Sequence, residues 1–250
     1  MWAQIVNWWN GLWAKPEPKH DVVEKPSPDP EKPVVEPTPA IPPKKIPENI
    51  VPPVSTAFAD NIATYRAKWL AADIPTSKVT QVKNAAKIAY DNRARYQAIA
   101  QHFGNMPWWF IAGLHLRENY FNFKGVLHNG ELIVGTGKKT TLVPAGRGPF
   151  KTFEEAAIDA LGLKYTAKTD WTLEYALWRS EAFNGWGYRS GSGAATIPSR
   201  TSPYVWAATD EYKSGKYYAD HKFSSTVVDQ QTGVAAFYKG LVLYYGVDIK

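Results

Sequence analysis

From Ser55 onward, apolar and polar positions follow a mostly helical period. Phe58, Ile62, Tyr65 and Trp69 step by four, three and four, which predicts a helix ending before Pro75. A long helix is expected next, opened by Thr76 or Ser77 and closed at Gly104. Pro107 then stands where a first helical turn tolerates proline, ahead of the apolar run WWFIAGLHLRE. After Phe123 the helical period is lost. His128-Asn129-Gly130 contains Asn-Gly, a strong hairpin cue. Leu132 to Val143, with Gly135 and Gly137 inside it, reads as short strands and loops. Thr152-Phe-Glu-Glu155 is a capping box, and the helix it opens is expected to end at Gly162. Further helices are predicted from about Thr172 to Phe183 and from about Gln230 to Tyr245. The sum is an α+β domain, mostly α-helical, with one small β-hairpin.

Composition divides the chain into three. Thirteen of the 19 prolines fall between Pro16 and Pro53, in a stretch (15–54) without glycine or aromatic residues. Proline removes backbone donors and too few apolar side chains remain for a core, so 15–54 is expected to be a disordered, Pro-rich linker. At about 3.1 Å per residue it could extend to roughly 120 Å. Residues 1–14 carry no charge. Trp2, Ile5, Val6, Trp9, Leu12 and Trp13 recur at helical spacing, as in a short amphipathic helix for a membrane interface or a protein partner. They lack the basic region and small-residue cleavage site of a removable signal peptide. Residues 55–250 are long enough to bury a core.

The net charge is +6, and the basic excess lies after Ser55. That suggests an anionic partner surface. No Walker loop, zinc-finger spacing or tight Lys/Arg block is present, so a bacterial envelope is expected rather than nucleic acid. The absence of cysteine excludes a disulfide framework, a Cys-ligated metal site and a cysteine nucleophile. No GxSxG elbow supports a serine hydrolase.

The stretch His115-Leu-Arg-Glu118-Asn-Tyr-Phe is the most informative. A carboxylate in the last turn of an apolar helix faces the unfavourable end of the dipole, and burial among aromatics also disfavours its charged form. A carboxylic acid kept protonated near neutrality is what a glycosidase needs to protonate a leaving oxygen. The bland alternative is a surface pair of Glu118 with Arg117 or another cation.

The runs LHLRENYFNF, LHNGELI, VPAGRGPFKTFEEAAIDAL, WRSEAFNGWGYR, SPYVWAATDEY and DQQTGVAAF, in that order, resemble the lysozyme-like superfamily. That group includes goose-type lysozymes, soluble lytic transglycosylases and phage endolysins. The resemblance covers roughly Ala85 to Tyr245, and implies a lysozyme-like fold and cleavage of the N-acetylmuramic acid–N-acetylglucosamine bond of peptidoglycan. It also implies action at the bacterial cell wall, in a phage or prophage setting, as a monomer without cofactor.

Glu118 matches the superfamily's catalytic acid; Asn119 follows where related sequences usually carry Ser. Asn184 and Tyr188 look like the segment lining the sugar cleft, although Phe183 replaces the expected Tyr of a Tyr-Asn-Ala-Gly run. His128-Asn129-Gly130 looks like the hairpin closing the cleft opposite, followed by Glu131 where the branch usually has Asp.

A single-displacement hydrolase needs a second carboxylate about 6.5–9.5 Å away. Glu131 and Glu181 are the candidates, with a one-carboxylate route through the sugar's own 6-hydroxyl left open. His115, one helical turn before Glu118, could orient the acid, bind substrate or be a structural residue. His115, His128 and Glu118 could share a metal, but no HExxH-like spacing supports one, and none is expected. Trp186, Tyr188, Tyr204 and Trp206 are candidate sugar-stacking walls, whereas Trp108, Trp109, Trp171 and Trp178 lie on helical patterns and are expected in the core.

Overall fold

A computed structural model describes residues 51–104, 106–165, 170–189, 200–219 and 222–250. The tryptophan-rich segment and nearly all of the Pro-rich stretch lie outside them. In chain order the elements are α1 (Phe58–Ala71), α2 (Val79–Asp91), α3 (Arg93–Ala100), α4 (Trp108–Asn119), α5 (Phe153–Gly162), α6 (Leu173–Asn184), the short α7 (Pro203–Trp206), β1 (Lys216–Ala219), β2 (Lys222–Ser224) and α8 (Val234–Tyr245). Mostly helical, with one small antiparallel sheet, the architecture is α+β. Among the described residues, no helix is long and apolar enough to cross a membrane.

Helix α4 is apolar nearly all round, and such a helix has to be enclosed. Phe110, Ile111, Ala112 and Leu114 lose all contact with solvent. Helices α3, α8 and α6 pack against it. Helix α8 also lies closely on α2. A Cβ at Gly240 would sit 2.7 Å from a Val82 methyl, so glycine, with Ala85 and Ala86 opposite, lets the two helices approach. Trp109 is buried, and Trp108, Trp171 and Trp178 pack partly buried on the same core.

Three expectations are corrected. The single helix over 76–104 is broken. A 3₁₀ turn, Thr76–Lys78, opens it, and Asn92 divides α2 from α3. The Asn92 amide bonds the Ile88 carbonyl at 2.9 Å, a side-chain substitute for the helical ladder. The hairpin is not at His128–Gly130. There Gly130 N–H bonds the Val126 carbonyl and the turn closes. The Glu131 carboxylate then accepts from Thr141 N–H, Thr141 Oγ1 and Leu142 N–H, so 132–142 wraps around a side chain instead of pairing as strands. The strands form at 216–219 and 222–224, with Tyr217 opposite Phe223. Finally, packing begins before Ser55. Pro52 is buried, and Arg189 and Arg200 reach the carbonyls of Pro53 and Pro52.

The local signals hold where they are self-contained. Thr152 and Glu155 form the reciprocal capping box of α5. Thr172 caps α6 by accepting from Tyr175 N–H. The inner face of α1 departs from its apolar stripe: Asn61 and Lys68 are as buried as Tyr65.

Candidate active site

Glu118 occupies the last turn of α4. The chain reverses at once through Tyr120 and Phe121, both with positive φ (52° and 62°). Non-glycine residues there cost of order 1–3 kcal/mol each, so the surrounding packing must enforce the turn. It does so in part through Asn119, which is buried against the 122–125 loop. A Cβ on Gly125 would press on the buried Asn119 amide and lie 3.3 Å from the Asn122 carbonyl oxygen, so glycine there lets the loop close on Asn119. The strained turn ends the helix directly after Glu118.

One oxygen of that carboxyl is held. Tyr204, from α7, donates its hydroxyl to Oε1 at 2.9 Å. No described residue hydrogen-bonds the other oxygen, Oε2, and Glu118 as a residue is half-buried. Glu118 is nonetheless so surrounded by protein that desolvation dominates its titration. Burial pushes its pKa above the ordinary carboxylate value, opposed by the Tyr204 hydroxyl and by the charges of Lys164 and Arg117. Glu118 is not paired with Arg117. That guanidinium turns to Asp229, 2.8 Å away in a buried ion pair, and lies over the Tyr204 ring at 4.9 Å.

Tyr204 is itself firmly placed. Pro203 opens α7 at a position that needs no N–H donor. The turn after α7 is fastened to the start of α8, where Gly233 N–H bonds the Ala207 carbonyl at 2.8 Å. A Cβ on Gly233 would lie 2.5 Å from the Val205 carbonyl oxygen. Tyr204 is thus the acid's partner and not an exposed stacking wall.

The other predicted site residues have different places. Glu181 is fully buried. Arg189 grips both its oxygens (2.6 and 2.7 Å), and Tyr65 donates to Oε2 at 2.5 Å. It joins α1 to α6 and is fully enclosed, its two oxygens held by Arg189 and Tyr65. Partial burial raises the Glu131 pKa, but the hydrogen bonds from the 141–142 loop outweigh it and hold the carboxyl below the ordinary value, with both oxygens occupied. Neither stands free as a base.

His115 is a core residue, stacked on Phe153 (4.1 Å between centroids) and bonded to Tyr96 through Nδ1. Burial drives its pKa down to about 3, so it is a neutral packing group and not a substrate ligand. The His128 ring is likewise buried. It stacks on Phe150 and bonds Asp159, which also takes Arg147. Asn129 braces the loop through the Leu142 carbonyl and Glu131 N–H. Tyr188 supports the hairpin, edge-on to Tyr217 and accepting from its N–H. Trp206 is buried beneath Lys68. Tertiary packing closes over His115, the His128 ring, Asn129, Tyr188 and Trp206.

Asn184 is the last residue of α6 and is half-buried. Lys164 Nζ lies 3.9 Å over the Phe183 ring and bonds the Phe183 carbonyl, one residue before Asn184, while its charge reaches Glu118. The sequence reading missed Lys164 and Asp229. Arg117, a cation on an otherwise apolar helix, was the one signal that a buried acid had to be found elsewhere. Comparison with family models, curated proteins and solved structures finds no match to this chain.

Proposed function

We propose that this protein is a peptidoglycan-cleaving glycosidase of muramidase type, with Glu118 as the proton donor. The observation that carries the reading is the Glu118 carboxyl itself. Tyr204 fixes one oxygen, no described residue hydrogen-bonds the other, and burial raises the carboxyl's pKa above the ordinary carboxylate value. Protonation of a glycosidic oxygen needs such a group. The motif resemblance supplies the substrate, the bond between N-acetylmuramic acid and N-acetylglucosamine, and a setting at the bacterial cell wall during phage or prophage lysis.

In this reaction Oε2 gives its proton to the bridging oxygen as the C1–O bond breaks. The glucosaminyl side leaves as an alcohol, and positive charge develops at C1 of the muramyl ring. The resulting Glu118 carboxylate is then poised as a base. The occupied state of Glu131 and Glu181 favours the route needing no second carboxylate. Glu118 takes the proton of the muramyl 6-hydroxyl while O6 attacks C1, giving a 1,6-anhydro end and returning the acid to its starting form.

Replacing Glu118 with Gln keeps the shape and the Tyr204 contact but removes the transferable proton. Clearing of purified sacculi is expected to fall by about 10²–10⁴-fold. Sacculus clearing at the wild-type rate in Glu118→Gln would refute the reading. Mass spectrometry of the released muropeptides separates the routes: anhydro ends mark intramolecular attack, and reducing muramic acid ends mark hydrolysis.

A further inference from the structure

Behind Tyr204 lies a buried chain of charges that the reaction above does not use. Arg117 Nη2 meets Asp229 Oδ2 at 2.8 Å, and both side chains are almost wholly enclosed. The other Asp229 oxygen receives Lys216 Nζ at 3.1 Å, at the first residue of β1. The Asp229 N–H donates to the Tyr212 hydroxyl, which donates in turn to the Gly215 carbonyl where the hairpin starts. On its other side the Arg117 guanidinium covers the Tyr204 ring whose hydroxyl binds Glu118.

A buried ion pair of this kind is weak evidence for stability, because apolar residues of similar volume often do as well. Here its geometry has another consequence. Arg117 adjoins Glu118 in sequence, and one step along a helix turns it away from the acid and under the Tyr204 ring. We infer that the Arg117–Asp229 pair is a positioning element for the acid, propping the Tyr204 ring so that its hydroxyl meets Glu118 and tying that contact to the base of the hairpin through Lys216. The inference rests on the proposed role of Glu118 as proton donor.

The groups facing Glu118 are Tyr204, Lys164, Arg117 and, more distantly, Tyr165. Those facing Asp229 are Arg117, Lys216, Tyr212 and Tyr188. Within this set Asp229 compensates Arg117. Asp229→Asn leaves Arg117 unpaired, so the acid meets extra positive charge and its titration midpoint falls. Arg117→Met removes positive charge, so the midpoint rises. The double variant restores the charge balance but removes the prop.

The test uses the full chain and two readouts: the ¹³C carboxyl titration of Glu118 by NMR, and the pH profile of sacculus clearing. The expected result is opposite midpoint displacements in the single variants, with the alkaline limb of activity following each. In the double variant the midpoint returns to the wild-type value while clearing falls by about 10- to 100-fold, the effect of a misplaced catalytic group. Equal midpoints in folded single variants would overturn the inference, making the pair a brace only. If a single variant fails to fold, the double variant, which buries no unpaired charge, decides: full wild-type clearing overturns the inference. A wild-type chain that does not clear sacculi sinks the muramidase reading instead, and the NMR midpoints still test the pair.

Discussion

Replacing Glu181 with Gln separates a structural carboxylate from a chemical one. In the folded protein Arg189 donates to both Glu181 oxygens, and Tyr65 adds a third bond. Both charged side chains are about 1% exposed. A glutamine amide turns an NH₂ group toward guanidinium donors, so at least one bond is lost and the Arg189 charge stays buried without its partner. Removing one member of a buried pair costs about 3–5 kcal/mol. For a folded unit of this size 1 kcal/mol moves Tm by about 2–4 °C. The expected fall is therefore roughly 6–20 °C, read by circular dichroism. Below that melting range sacculus clearing should persist, because Glu181 offers the substrate no free oxygen. Converting both residues to apolar ones, Glu181→Leu with Arg189→Met, should recover much of the loss. An unchanged Tm combined with lost activity would refute the reasoning and return Glu181 to the chemistry.

Two further outcomes follow from the same geometry. Tyr204→Phe removes a bond that favours the Glu118 carboxylate, so the alkaline limb of the pH–rate profile should move to higher pH. Turnover at the optimum should fall by about tenfold or more, the worth of a hydrogen bond to a charged group; an unmoved limb would count against Tyr204 as the acid's partner. Buried His115 titrates near 3, whereas in the unfolded chain it returns to about 6.5. Between those values the unfolded state binds a proton that the folded state refuses, so stability drops as pH falls through the window, by at most about 1.4 kcal/mol per pH unit. His115→Phe should flatten that slope in urea titrations between pH 7 and 4, and an identical slope would place its origin elsewhere.

Much of the secondary structure was legible from the residues. The capping box at Thr152 and the Thr172 cap are satisfied by neighbours a few positions away, so their physics is complete in a short window. The break at Asn92 was missed because a side chain competing for one carbonyl leaves the apolar period intact. The hairpin was misplaced because Asn-Gly marks a turn, and whether strands follow depends on where the Glu131 carboxylate finds its donors.

For the site, the chain alone singled out Glu118 as the candidate acid. A carboxylate at the end of an apolar helix, among aromatics, is an electrostatic anomaly visible without coordinates. It could not name the company that acid keeps. Tyr204 lies 86 residues away and Asp229 is 112 from Arg117, and nothing local distinguishes them from other tyrosines and aspartates. The same limit promoted Glu181, His128 and Trp206, whose polar or aromatic character suggested a cleft until packing enclosed them. Helical period and end-capping are properties of neighbouring residues, so composition along the chain decides them. The pairing of buried charge is a property of space, because a desolvated ion is tolerated only where a distant segment delivers its counterpart, and the folded arrangement alone decides which segment that is.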